Sequence, residues 1–527
     1  MNTGAILSAL LMGVLITAAA SWAVAVLYRR RVLALMRRSP EPQVSRGSAA
    51  GGMPLRDPTP PRTVVRPDAT AYRQARARQA IALVVTSLLI GLTHAVLALA
   101  FLYGDGLLTP GRALTLGLVY AWPVVLAWGL SSRWAWWRTW AAVLLYLLLM
   151  LLFVRWRSVE AQPLANTVGW LLGLVLVPTA VTLLIGASPR IRAIAPYLLP
   201  LGLLLASGTV GVQLWQLDGL SEPPRWIVAL AGAVGAWPAI VLIGLLPWLV
   251  LAWPAWVIAR WLARAYRDKR FSDLWYLIAA YWAVVLATSA LPELQGEGWI
   301  ALVELLPWAW LPLSLWALRG WLAPRAPPPT LLVLRVFQQD AAVQALFDRV
   351  IERWRLVGNT VLIAGTDLLS RTIDPDDVFT FLNGGLERRF IGGEAQLAER
   401  LRELDLAPDP DGRYRVNECH CYDSTWRLAL AALVGRADVV LMDLRGFQSH
   451  NAGCRHELGM LAAAPRLQRV VVLVDARTDR ATAQADAARA PAGRFLWVQA
   501  GRLDGRRVRD LMVALLGGTS GGIQSAK

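Results

Sequence analysis

The stretch DVVLMDLRGFQSHNAGCRHELGML, residues 438–461, decides how the C-terminal third of this chain folds. Four continuous apolar residues bounded by acids, Val439–Met442, predict a strand covered on both faces, ending at Asp443. A polar loop through Arg445, Gly446 and Phe447 follows. GCRHELGMLAA then has the composition of a helix, carrying Cys454, His456 and Glu457. A strand, a loop at its C-terminal end and a helix returning over it form the repeating unit of an open α/β sheet.

Working outward, the same alternation continues. LLVLRVF (331–337), TVLIAGTD (360–367), RVVVLVD (469–475) and RFLWVQA (494–500) are apolar runs of strand length, and YRVNECHCYD (414–423) is expected as an edge strand. Helical spacing appears in AAVQALFDRVIERWRLVG (341–358), with Val343, Leu346, Phe347, Val350 and Trp354 on one face, and again in STWRLALAALVG (424–435) and DGRRVRDLMVALLG. The predicted fold of residues 331–517 is a doubly wound parallel sheet, flavodoxin-like in plan, with a tail without structure at 518–527.

Ligands of such sheets bind beyond the C-terminal strand ends, where the strand order switches. Three ends matter: Phe337, Gln338, Gln339 and Asp340; Gly365, Thr366 and Asp367; and Asp443, Arg445 and Phe447. Glu457, on the helix after the third, can lean back over the same crevice. The structural alternative is a solvated carboxylate near a helix start, favoured there by the dipole.

Everything before residue 322 reads differently. Hydrophobic residues make up 56% of the chain, charged ones 17%, and the net charge is +17. Residues 1–329 hold 27 Lys/Arg against 12 Asp/Glu; residues 330–527 hold 26 against 24. That near balance argues against a nucleic-acid partner, which would require a basic face. A bilayer core takes about 20 apolar residues in helical form. Nine runs qualify: 5–27, 79–103, 113–131, 135–154, 164–187, 193–215, 226–258, 273–291 and 299–318. The expectation is an all-α polytopic membrane domain of about nine helices. It comprises an anchor (1–28), a basic Pro/Gly/Ser-rich cytoplasmic linker (29–78), eight further spans (79–321) and a proline linker (322–330).

MNTGAILSALL lacks the basic start of a cleaved signal, and Arg29–Arg31 follow the apolar run. Arginines in the connections alternate consistently with an outward N-terminus and a cytoplasmic C-terminal domain, in a plasma (inner) membrane. Keeping that sense requires 226–258 to be one long, kinked span running into an interfacial stretch at 259–270. Tryptophans at 134–137, 253, 256 and 299 fit an aromatic belt. Only His94 and Glu304 are ionisable within spans. Glu304 is expected near enough to an interface to be solvated, so the spans read as an anchor or a sensor and not as a transport path.

Three cysteines cannot build a disulfide framework, and no regular zinc spacing joins Cys419, Cys421, Cys454 and the nearby histidines. Buried reduced thiols are expected, with no metal. No Walker loop and no G-x-G-x-x-G after a strand is present, which speaks against an NTPase or a dinucleotide-dependent dehydrogenase.

ALVGRADVVLMDLRGFQSHNAGCRHEL resembles the central signature of TIR domains: a helix, an apolar strand ending in a polar residue, then a loop reaching a C-x-x-E-L helix, here Cys454 to Leu458. LLVLRVFQQD followed by a helix resembles the family's first strand and loop, and the resemblance extends over residues 331–516. It implies a TIR-like domain in which Glu457 is catalytic in cleaving NAD, with self-association through that domain and no added cofactor. GCRHELG is also similar to the D-x-G-T-x-x-E-x-G stretch of nucleoside deoxyribosyltransferases, a related fold whose glutamate attacks the sugar. Both resemblances imply N-glycosidic cleavage of a nucleotide by Glu457, with Asp443 or Arg445 holding hydroxyls or phosphate. A non-enzymatic nucleotide-binding or protein-interaction module, and a transporter with a regulatory domain, are the alternatives.

Overall fold

The structure is a computed structural model. It describes residues 3–38, 65–104, 106–132, 134, 136–157, 163–186, 194–195, 197–202, 204–206, 225–293, 296–335, 345–364, 375–500, 503–518 and 523–525. The chain forms two compact units. One comprises Met1–Leu27, Arg78–Trp321 and Ile373–Phe379; the other comprises Tyr28–Ala77, Leu322–Thr372 and Thr380–Lys527.

Seven helices among the described residues, most of their length in the first unit, are long and apolar enough to cross a membrane. They are Leu11–Met36, Ala69–Phe101, Pro110–Gly129, Trp137–Arg157, Ala236–Arg267, Asp273–Ala290 and Gly298–Leu322. This marks a membrane protein, with fewer qualifying spans than the nine expected. The run at 193–215 is helical at 194–195 and over Tyr197–Ala206, and 207–215 lies outside the described residues. The run at 164–187 is helix Leu164–Gly186, of which Leu164–Val175 is the fully described apolar part.

The run at 226–258 is not one kinked span. It divides at Gly235, whose positive φ of 91° ends the short helix Arg225–Val234 and begins Ala236–Arg267. Ten helical residues span about 15 Å, half a bilayer core. Pro247 and Pro254 lie within the second helix without ending it, so ARWLARAYR (259–267) continues that helix and does not form a separate interfacial segment. The last span opens as twelve residues of 3-10 helix, Gly298–Ala309, before Trp310–Leu322 becomes α-helical.

The second unit contains eight strands. They are β1 Thr330–Arg335, β2 Asn359–Ile363, β3 Phe390–Ile391, β4 Val416–Cys421, β5 Val439–Asp443, β6 Arg469–Val474, β7 Phe495–Gln499 and β8 Ile523–Ser525. Their order is β3-β4-β2-β1-β5-β6-β7-β8. The first seven run parallel, and β8 pairs antiparallel with β7. Period-2 geometry sends alternate side chains to opposite faces. Leu332, Leu334, Val440, Met442, Val470 and Val472 enter one core with the helices Glu394–Glu403, Trp426–Arg436, Ala452–Ala463 and Arg480–Ala487. Leu331, Val333, Val439, Leu441 and Val471 enter the other with Phe347–Trp354 and Gly505–Leu515. Both faces are covered, which explains why these strands are apolar throughout.

Three boundaries depart from expectation. The strand expected at the sheet edge, β4, lies inside it, because residues 368–423 supply β3 and so extend the sheet by two strands. The tail expected without structure supplies β8 at 523–525. The linker expected at 29–78 belongs in part to the α/β unit. Helix Thr3–Met36 continues through Arg29–Arg31, and the Tyr28 hydroxyl lies 3.3 Å from His420 Nε2. Val65 N–H donates to Asp438, and Tyr72 packs on the second core. The basic sequence suggested solvation; the tyrosines that dock it are too few to alter that composition.

Leu322–Pro329 runs against Gly412 and Gly358. A Cβ at Gly412 (φ 81°) would meet the Leu322 carbonyl oxygen at 2.2 Å, whereas one at Gly384 (φ 74°) would meet nothing within 4 Å. Gly384→Ala should therefore cost about 1 kcal/mol, the left-handed penalty alone. Gly412→Ala should cost about 3 kcal/mol, because backbone must also shift. Unfolding of both variants of the full chain in detergent, compared with wild type, checks the difference.

Candidate functional site

β1 and β5 are neighbours, and the chain leaves β1 towards β2 on one side while β5 lies on the other. Strand order therefore switches between them, with Arg335 and Asp443 in register at their C-terminal ends. This is where an open α/β sheet leaves a crevice. The loop after β1 that was expected to line it, with Phe337 and Gln338, lies outside the described residues, as does 365–367.

The loop after β5 is held firmly. Gly446, at φ 75°, donates its N–H to Asp475 Oδ1 at 2.9 Å, and Thr478 Oγ1 bonds the Leu444 carbonyl at 3.0 Å. Asp479 N–H reaches the Phe447 carbonyl, and Gln448 Nε2 the Arg477 carbonyl. Burial works against ionisation at Asp475. The hydrogen bonds from Gly446, Thr478 and Arg477 outweigh it and hold the carboxyl below its usual range. The loop after β6 thus fixes the loop after β5.

The residues expected to touch a ligand do other work here. Arg445 donates through Nε to Asp443 Oδ1 at 2.8 Å and through Nη2 to Oδ2 at 2.5 Å, with both side chains buried. A bidentate pair of this kind satisfies the two groups against each other. The Phe447 ring is fully buried in the first core with Cys454 and Leu458, so it is a packing residue and not a stacking platform at the surface. The three cysteines are free and buried. Burial, aided by the Glu457 charge, pushes the Cys454 thiol up to about 12, which leaves it unreactive near neutrality. Arg455 faces outward to Asp486 at 2.8 Å, and His456 meets the Trp426 ring edge-on at 5.8 Å between centroids.

Glu457 differs from all of these. It sits in the second turn of Ala452–Ala463 at 5% exposure, so it is not the solvated carboxylate of the alternative reading. Its Oε2 has no hydrogen-bond partner among the described residues. Burial raises its pKa to about 8, opposed by the positive charge of Arg335. Arg335, itself buried at the end of β1, was not singled out in the sequence. Its register with Asp443 would have been the only signal. The arrangement is a neutral acid, able to ionise, beside one cation at a switch point. Perturbed acids in such places are where chemistry is sought.

No family profile, known protein or solved structure matches this chain. The site therefore stands on its own geometry.

The raised pKa has a consequence for stability. Folding favours the protonated form, so the contribution of Glu457 is intact below about pH 4.5 and is lost as pH rises through about 8. The full loss is on the order of 4–5 kcal/mol, an upper bound because a buried site relaxes when charged. The melting temperature of the full chain should fall more steeply between pH 6 and 9 than that of Glu457→Gln, and scanning both variants at each pH checks this. Asp443→Ala, which strands the buried Arg445 charge, should cost about 3 kcal/mol or more at neutral pH.

Proposed function

We propose that this is a membrane-anchored, TIR-like NAD glycohydrolase whose α/β unit cleaves the N-glycosidic bond of NAD or a related nucleotide through Glu457. The observation that carries this reading is the buried carboxyl of Glu457 at the β1/β5 switch point, whose Oε2 has no hydrogen-bond partner among the described residues and whose proton is held to about pH 8. The nicotinamide ring of NAD is a cation, and a cation brought against such a group favours its ionised form. The resulting carboxylate faces a ribosyl carbon that becomes oxocarbenium-like as the C–N bond breaks. The bond electrons pass to the ring nitrogen and discharge it, water adds to the sugar carbon, and one proton is released. Arg335 holds the carboxylate in place once it is charged.

Arginine bias in the connections supports a multi-pass arrangement in a plasma (inner) membrane, N-terminus outside and α/β unit in the cytoplasm. Self-association of that unit is the means by which signals from the membrane unit would be relayed. A second reading, a nucleotide-binding module without catalysis, draws on the β1/β5 switch point itself, where an open α/β sheet takes a ligand whether or not Glu457 acts on it.

Full-length protein in lipid vesicles, incubated with NAD, should release nicotinamide, and Glu457→Gln should lower kcat about 100-fold or more while NAD still binds. kcat/KM should rise with pH to a plateau above about 8, because it reports the free protein's essential base. Cleavage left intact by the substitution would remove Glu457 from the chemistry. Binding without release in the wild type would establish the second reading.

A further inference from the structure

The membrane unit holds a second buried acid that the reading above does not use. His94 lies on Ala69–Phe101 and Glu304 on the 3-10 segment Gly298–Ala309. His94 Nε2 is 3.4 Å from Glu304 Oε1, and both side chains are 1% exposed. Glu304, expected near a solvated interface, is thus sealed inside the unit. An ionisable pair at such a place is costly and marks function more often than support.

Two features argue against a pair that merely holds helices together. First, neither oxygen of Glu304, nor His94 Nε2, has a hydrogen-bond partner among the described residues. Structural ion pairs removed from water require those additional bonds to offset desolvation. Second, Glu304 is carried on twelve residues of 3-10 helix, where runs beyond three or four are uncommon and mark a hinge or strain.

The surroundings are specific. The His94 ring stacks on Tyr120 at 4.1 Å between centroids and 20° between planes. Tyr120 shares a 2.6 Å hydroxyl–hydroxyl bond with Tyr103, whose ring is exposed. Two glycines permit this approach. A Cβ on Gly91 would lie 2.8 Å from the Ala121 backbone, and one on Gly117 3.2 Å from Leu92 Cα. The 3-10 segment is tied to its neighbours by Trp308 Nε1 donating to the Ala279 carbonyl, and the helix that continues it by Trp310 Nε1 donating to Thr93 Oγ1, each at 2.9 Å. Among the described residues, Tyr103, Tyr120 and Glu293 lie within electrostatic range of Glu304.

We propose that His94 and Glu304 form a proton-binding site inside the membrane unit, the two side chains holding one exchangeable proton between them. With that proton on the Glu304 carboxyl, both groups are neutral. Transfer to His94 Nε2 makes a carboxylate–imidazolium pair without changing the total charge. A second proton taken from water gives a carboxylic acid beside an imidazolium.

The test uses the full chain in lipid vesicles and dicyclohexylcarbodiimide, an apolar reagent that adds to protonated carboxyls. Peptide mass spectrometry reads modification at Glu304. The labelled fraction should fall at least tenfold as pH is raised from 5 to 9, and His94→Gln should move the midpoint by a pH unit or more. The wild-type measurement needs no substitution, so misfolding of a variant cannot mimic the result. Absence of label at every pH, label independent of pH, or a midpoint unmoved by His94→Gln would each overturn the proposal. None of these outcomes bears on NAD cleavage.

Discussion

An acid kept from water, one of its oxygens without a hydrogen-bond partner among the described residues, is the constraint around which the α/β unit is arranged. Parallel strands bring their C-terminal ends to one edge of the sheet, and the change of direction at β1 leaves the ends of β1 and β5 side by side. The helix after β5 must return across that edge. The staple between Gly446 and Asp475 fixes where it starts, so its second turn carries Glu457 inward. Desolvation then sets the protonation state, and the Arg335 charge limits how far it can go. Strand order, loop anchoring and acid strength form one causal chain.

Two buried carboxyls in one chain show how surroundings divide their roles. Glu457 has a fixed cation at the end of a neighbouring strand, so a ligand's charge can tip it. Glu304 has a histidine, which can itself gain or lose the proton. The first arrangement suits a site that responds to a cationic substrate. The second suits one that responds to protons alone.

Much of this was readable from residue order. VVLM (439–442) is apolar at every position, a pattern that fits a strand covered on both faces, and β5 occupies it through Asp443. Glu457 was legible because it follows such a strand at helix distance. Other features left weaker marks. VNECHC alternates polar and apolar, as an edge strand does, because half of β4 is only partly covered even inside the sheet. The break at Gly235 was hidden by an apolar run that continues on both sides, since hydropathy does not register a change in φ. Asp443 and Arg445, two residues apart, read equally well as a ligand clamp or as each other's partner, and only the geometry separates these. The burial of Glu304 depends on contacts from helices some two hundred residues away, which no local window contains.

The central claim is that Glu457 carries a proton at neutral pH and surrenders it when a cationic nicotinamide ring arrives. Calorimetric titration of the full chain at pH 7 with a carbocyclic NAD analogue, which keeps the cationic ring but cannot be cleaved, in buffers of different ionisation enthalpy, counts protons released on binding alone. The account predicts release approaching one proton for this analogue, and none for the reduced cofactor with its neutral ring or for the analogue with Glu457→Gln. Equal release from all three, or none from wild type binding the analogue, would contradict it.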